Sequence, residues 1–233
     1  MKRVMTIVGL SVALLLSASM IAEAQSKKKG KEPELAICKR GNLIFEDDFS
    51  GKEVEWNVTG GEWKIEKNSL VTRSKGTVAN KDYPSICRPF AEVPNVVFEF
   101  RVLLPMKGSF GVYGKEGGSN AQNPGASFSP NTRTVSITYW APHVDLAKGP
   151  LVYAKPRWLD VIFELYTNKY ALTVDGKTMR GEVPPGEGIQ RNTFLLTVPN
   201  PNGELFAIDD VKVYEALPKD EGEGEDEKGK KRK

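Results

Sequence analysis

Histidine is almost missing from this chain. His143 is the only one among 233 residues. A Ser-His-Asp or Cys-His constellation would therefore have a single base, standing beside Pro142, and histidine-rich metal sites are excluded by count. Cysteine is nearly as scarce. Cys38 and Cys87 stand alone, and no CxxC spacing offers redox chemistry. A charge excess is missing too. The first 37 residues hold 6 basic and 3 acidic side chains, the last 15 hold 6 of each, and residues 38–218 hold 21 of each. A nucleic-acid binder carries its basic excess on the folded surface, so that class is excluded. Beyond the N-terminus no apolar run is long enough to span a membrane. The longest, Val96 to Leu104, is interrupted by Glu99 and Arg101. No window there shows a helical 3.6-residue stripe.

What is present begins with a leader. Lys2 and Arg3 precede the apolar stretch Val4 to Ile21, and Ala22-Glu23-Ala24 places small residues where a signal peptidase reads. Residues 1–24 are expected to be removed before Gln25, giving an exported protein, periplasmic or extracellular. In such a compartment Cys38 and Cys87 are expected to form one disulfide. Residues 25–36 hold four lysines without apolar periodicity and read as a flexible linker. Residues 219–233 form a charged tail too polar to repay ordering entropy.

Residues 37–218 suit one domain. Period-two alternation recurs through it. Val96, Phe98, Phe100, Val102 and Leu104 share one face, with Glu99 and Arg101 on the other. Val135, Ile137 and Tyr139 oppose Ser136, Thr138 and Trp140. Leu159, Val161, Phe163 and Leu165 oppose Asp160, Ile162, Glu164 and Tyr166. Asp175-Gly176 predicts a tight hairpin. Fifteen prolines and 22 glycines fit a loop-rich all-β domain. Leu43 to Phe49 and Leu205 to Tyr214 are strands that each carry an acidic doublet. Their pairing predicts a closed sandwich whose first and last strands are neighbours.

Phe45-Glu46-Asp47-Asp48-Phe49-Ser50-Gly51 with Trp56, then Gly61 to Val71, resembles the entry of concanavalin A-like (laminin G-like) jelly rolls. Trp158 to Glu164 with Leu172 to Lys177 is similar to their later hairpin, and Phe206 to Val213 to their closing strand. The resemblance implies an all-β sandwich of two antiparallel sheets. Within that superfamily the chain looks most like the 3-keto-disaccharide hydrolase-like domains of exported bacterial proteins. Those domains carry an Asn-Ser-Gly turn leading to an arginine after the long middle strand. Here the stretch is Lys107 to Lys115; the asparagine is absent and Lys115 stands near the arginine position. The Glu-x-Asp-x-x-Glu strand of laminarinase-type glycosidases is missing, and that mechanism is not carried over.

Three functions follow as expectations. The first is recognition of a glycan or surface polysaccharide on the concave sheet. Tyr113, Ser136, Thr138 and Trp140 would line it, joined by Glu99 and Arg101, because stacking rings and a few fixed polar groups suit sugars. The second is glycoside hydrolysis, with Glu99 and Glu164 as paired carboxylates and Arg101 tuning one of them. The third is a structural or interaction role in the envelope. Asp48 and Asp209, one from each doublet, are candidate ligands for a structural calcium ion. Trp56 and Trp63 read as core.

Overall fold

The computed structural model describes residues 32–51, 54–73, 83–115, 124–139, 144–183, 191–199 and 201–219. The leader, most of the lysine-rich segment, the tail beyond Lys219, Trp140 and His143 lie outside the described residues. Within them the fold is strand throughout, apart from one short 3-10 turn at Pro130–Thr132. The strands are β1 (Lys39–Asp47), β2 (Asn57–Gly60), β3 (Lys64–Ile65), β4 (Leu70–Thr72), β5 (Ser85–Val93), β6 (Val96–Leu104), β7 (Phe110–Lys115) and β8 (Pro124–Ser129). They continue with β9 (Thr134–Tyr139), β10 (Val144–Pro150), β11 (Arg157–Tyr166), β12 (Lys169–Val174), β13 (Lys177–Glu182), β14 (Arg191–Thr197) and β15 (Phe206–Leu217).

They form the expected sandwich of two antiparallel sheets. Sheet A runs β13-β12-β11-β6-β15-β4-β3, with β1 also paired to β15. Sheet B runs β10-β9-β8-β7-β14-β5-β2. First and last strands are neighbours, Glu46 opposite Lys212 and Phe45 opposite Val213. Short hairpins link the outer strands of sheet A. Asp175 and Gly176 both take positive φ, 48° and 76°, the geometry of a two-residue turn that matches strand twist. Lys67 and Asn68 do the same between β3 and β4, closed by reciprocal Glu66–Ser69 backbone bonds of 2.9 and 3.1 Å.

The inner faces supply the core. Val96, Phe98, Phe100, Val102 and Leu104 of β6 meet Phe110, Val112, Phe128, Val135, Ile137, Phe194 and Leu196 from sheet B, all buried. Phe194 is the aromatic hub: its ring lies 4.7 Å from Phe98, 5.7 Å from Trp56 and 5.9 Å from Phe100. Trp56 is in the core as its sequence context suggests, and Trp63 packs against the core partly buried.

The acidic doublets depart from simple alternation. β1 ends at Asp47, whose carboxylate accepts from Phe49 N and from the Trp56 indole, each at 2.8 Å; Phe49 then turns left-handed at φ 51°. In β15 a bulge separates Asp209 from Lys212, with Asp210 at φ 50°. Ile208 and Val211 therefore both face the core with two residues between them. Asp209 and Asp210 both fall on the outer side, where strict alternation would have sent one inward.

Phe194→Ala should cost about 3–5 kcal/mol, because it empties the centre of the aromatic cluster; urea unfolding followed by fluorescence reads it. The hairpin carries a pH signature. Hydrogen bonding to Arg73, opposed by burial and aided by Lys64, pulls the Glu66 carboxyl down to about 2. A carboxyl depressed on folding stabilises fully above its unfolded value of about 4.3 and loses that contribution as pH falls through its folded one. Stability should therefore fall between about pH 4.5 and 2, and Arg73→Gln should flatten that part of the profile.

Candidate functional site on the outer faces of the sandwich

Each sheet turns one face to the core and one outward, so the polar residues singled out by alternation divide between two separate surfaces. Glu99 and Arg101 of β6 and Glu164 of β11 lie on the outer face of sheet A. Ser136 and Thr138 of β9 and Tyr113 of β7 lie on the outer face of sheet B. A single platform joining Arg101 and Glu99 to Ser136 and Thr138 does not exist. The whole core stands between them, because alternation assigns a face and not a sheet.

On sheet A the candidate carboxylates are already engaged. Glu164 is 0% exposed. It accepts from the backbone N–H of Ala36 and Ile37 at 2.8 Å and of Cys38 at 3.3 Å, and from the Cys38 thiol at 3.4 Å. It thus straps residues 35–38 across the sheet, where Leu35 and Cys38 pack with Val97, Ile162 and Ala216. The strap includes Leu35, a residue the sequence places in the linker, packed against the sheet. Glu99 sits diagonally from Glu164, since Glu99 opposes Ile162 and Glu164 opposes Val97. It is bound by Arg40 Nε at 2.5 Å, and burial still raises its carboxyl above the ordinary value. Arg101 stacks over Trp158 at 5.3 Å and meets Asp160 at 3.3 Å and Asp210 at 3.9 Å. Beside these runs an open acidic groove of about 1080 Å³, lined among others by Glu46, Asp48, Glu99, Asp160, Asp175 and Asp210. Glu164 is not part of its lining. The two glutamates share a face, as a catalytic pair requires, but one of them is spent on holding the strap.

Two further expectations are corrected or left without support. Cys38 and Cys87 are free thiols rather than a disulfide. Cys38 lies within the strap on sheet A, whereas Cys87 opposes Leu195 and Asn57 on the outer face of sheet B. A bridge needs Cα atoms within about 7 Å, and stacked sheets alone stand about 10 Å apart. Asp48 accepts from Ser50 N at 3.0 Å and Asp209 from Asp210 N at 2.8 Å. Among the described residues no group of three or more His, Cys, Asp or Glu is placed to hold a metal ion.

Sheet B brings its candidates together. Across its strands one row reads Thr138–Gly125–Tyr113–Leu195–Cys87–Asn57, and the next reads Ser136–Ser127–Gly111–Thr197–Ser85. Tyr113 lies down on this face. A Cβ on Gly125 would come 2.3 Å from its Cδ1, and one on Gly111 would come 2.7 Å from its hydroxyl. Both edges of the ring therefore rest on glycine backbone, one on its own strand and one on the neighbour. Ser136, Thr138 and Thr197 flank it, all under 9% exposed. At the end of the rows Asp145 is paired with Lys148 at 3.8 Å. Lys115 lies close enough to Cys87 to favour its thiolate against the burial that raises its pKa. Gly111, Gly125, Ser127 and Thr197 were not singled out by sequence. Glycine inside a strand does mark a close approach, but not what approaches.

No protein-family model matches the chain, and no curated protein matches it in sequence. Solved structures do. A Bacillus subtilis protein of unknown function with a galectin-like fold superposes with a TM-score of 0.60 at 11% identity, covering 78% of this chain and 100% of that one. Carbohydrate-binding module CBM66 from Bacillus subtilis gives 0.54 at 10% identity, over 68% and 94%. The catalytic domain of a laminarinase from Thermotoga petrophila gives 0.56 at 16% identity, over 77% and 99%. The fold is the concanavalin A-like jelly roll. Likeness at such identities fixes architecture alone.

The strap makes a chemical prediction. The Cys38 thiol is pushed far up, first by burial and then by the Glu164 charge and hydrogen bond, and should resist alkylation. Glu164→Ala removes the acceptor of the strap's N–H groups. Alkylation of Cys38 by iodoacetamide should then rise by at least about tenfold, with Cys87 as the unchanged internal reference.

Proposed function

We propose that this domain is an exported carbohydrate-binding module that recognises a glycan on the outer face of sheet B, with the Tyr113 ring as its floor. The carrying observation is that ring, laid on Gly111 and Gly125 between buried hydroxyls. A ring lying on a sheet offers its negative face to the C–H face of a sugar. The Ser127, Ser136, Thr138 and Thr197 hydroxyls supply donors and acceptors at strand spacing, about 4.8 Å apart across the sheet. Among the described residues of these rows the only carboxylate is Asp145, at their β10 end, which suits binding better than acid–base cleavage.

Two features support the setting. The leader-like N-terminus fits export, where surface polysaccharides are found. The two ends of the domain also meet on the sheet A side: the Lys219 ammonium donates to the Leu35 carbonyl at 2.6 Å. Both ends of the described domain thus lie on the side opposite the outer face of sheet B.

Hydrolysis is the second reading, and one observation favours it. Glu99 lines the acidic groove on sheet A with a carboxyl raised by burial, as a general acid requires. Its neighbours Asp160 and Asp210 are held by Arg101.

A glycan array probed with the full chain tests the proposal. Tyr113→Ala should weaken the retained glycan by at least about tenfold, the scale of one lost aromatic contact with its burial. Gly125→Ala should do the same by lifting the ring off the sheet, with an unfolding midpoint near that of the parent. Glu99→Gln should leave binding unchanged. Full retention by Tyr113→Ala and Gly125→Ala places the ligand elsewhere. An array without any retained glycan transfers the reading to a structural role.

A further inference from the structure

Arg191 is the most anomalous polar group in the sandwich. It is 0% exposed and is the largest fully buried side chain. It opens β14 opposite Val93, a core residue of β5. Its Nη1 donates to the Pro94 carbonyl at the turn into β6. Its Nε and Nη2 make no well-formed hydrogen bond, and neither does the hydroxyl of Tyr170, also 0% exposed; the two side chains touch each other through their polar ends, too loosely to satisfy either. Tyr170 arrives from β12 in the opposite sheet and is close enough to couple electrostatically with the guanidinium; Tyr139 at the end of β9 is a further neighbour. Among the described residues no carboxylate pairs with Arg191. Burial works against its charge.

Physical chemistry makes this arrangement costly as it stands. A desolvated guanidinium without a counter-charge is among the most expensive groups a core can hold. Among the described residues, three N–H or O–H donor groups meet here with only the phenol oxygen to accept. A water accepting from them would find too few acceptors for its own protons, and it brings no charge. An anion accepts from all three and neutralises the guanidinium.

We propose that Arg191 and Tyr170 form a buried site for a small inorganic anion of halide size, held by Arg191 Nε and Nη2 from sheet B and by the Tyr170 hydroxyl from sheet A. The ion would fasten one sheet to the other at the end of the sandwich where β5 turns into β6. It is independent of the glycan face.

Thermal unfolding of the full chain in sodium chloride against sodium gluconate, at matched ionic strength, tests this. Gluconate is too large to enter a packed core and, as a well-hydrated anion, should otherwise be the more stabilising salt. The expected result is the reverse: a midpoint that climbs with chloride and saturates. The gain should be roughly 5 °C once chloride reaches about a hundredfold over its dissociation constant. Bromide should substitute for chloride and give an anomalous-scattering peak between Arg191 and Tyr170 in crystals grown with it. Tyr170→Phe removes one donor without emptying the core and should shift the chloride response to higher concentration. Arg191→Met, where it folds, should abolish the response. Midpoints in chloride no higher than in gluconate overturn the proposal. So does a crystal in which bromide is absent from this position and a water occupies it.

Discussion

The rest of this structure depends on one constraint: two sheets must bury their inner faces against each other. Phe194 shows what that requires, with Phe98 and Phe100 from the opposite sheet and Trp56 from the segment before β2 all within ring contact. Burying each such ring contributes about 1.5–3 kcal/mol, and the sum offsets the ordering of a loop-rich chain. The requirement commits every second residue of every strand to the interior. What remains is two outer surfaces that cannot communicate by contact, and the protein has given them different chemistries.

Sheet A is the structural side. Its outer face takes the incoming chain through Glu164, pairs Glu99 with Arg40 and Arg101 with Asp160 and Asp210, and brings Leu35 to Lys219. The carboxylates there are mostly partners of arginines or of backbone. Sheet B is quieter in charge and richer in small residues. Glycines at 111 and 125 let an aromatic ring lie flat where any side chain would have forced it upright. The stacking floor proposed for this face is built by omission, by leaving out two Cβ atoms. That division is the reason the binding role is proposed for sheet B. Among the described residues charge is also kept out of the space between the two sheets with one exception, Arg191, whose cost the apolar core does not repay by itself.

The sequence by itself determined the fold class and much of the fold's detail. The faces of β6, β9 and β11 follow from alternation at 96–104, 134–139 and 159–166, because one buried face makes period two unmistakable. The Asp175-Gly176 turn follows from the positive φ that only such residues accept readily. The adjacency of first and last strands was legible in the paired acidic strands. Tyr113, Ser136 and Thr138 were correctly placed on polar faces. Only the tertiary structure decided which sheet each strand joined, because hydrogen-bond partners across a sheet are chosen by distant parts of the chain. That choice separated Glu99 and Arg101 from Ser136 and Thr138 and kept Cys38 from Cys87. It also turned Glu164 from a candidate catalyst into the acceptor for a strap whose apolar anchor, Leu35, is hidden among lysines and glutamates. A local pattern reports whether a side chain points inward or outward; what it meets there is settled by the packing of the whole.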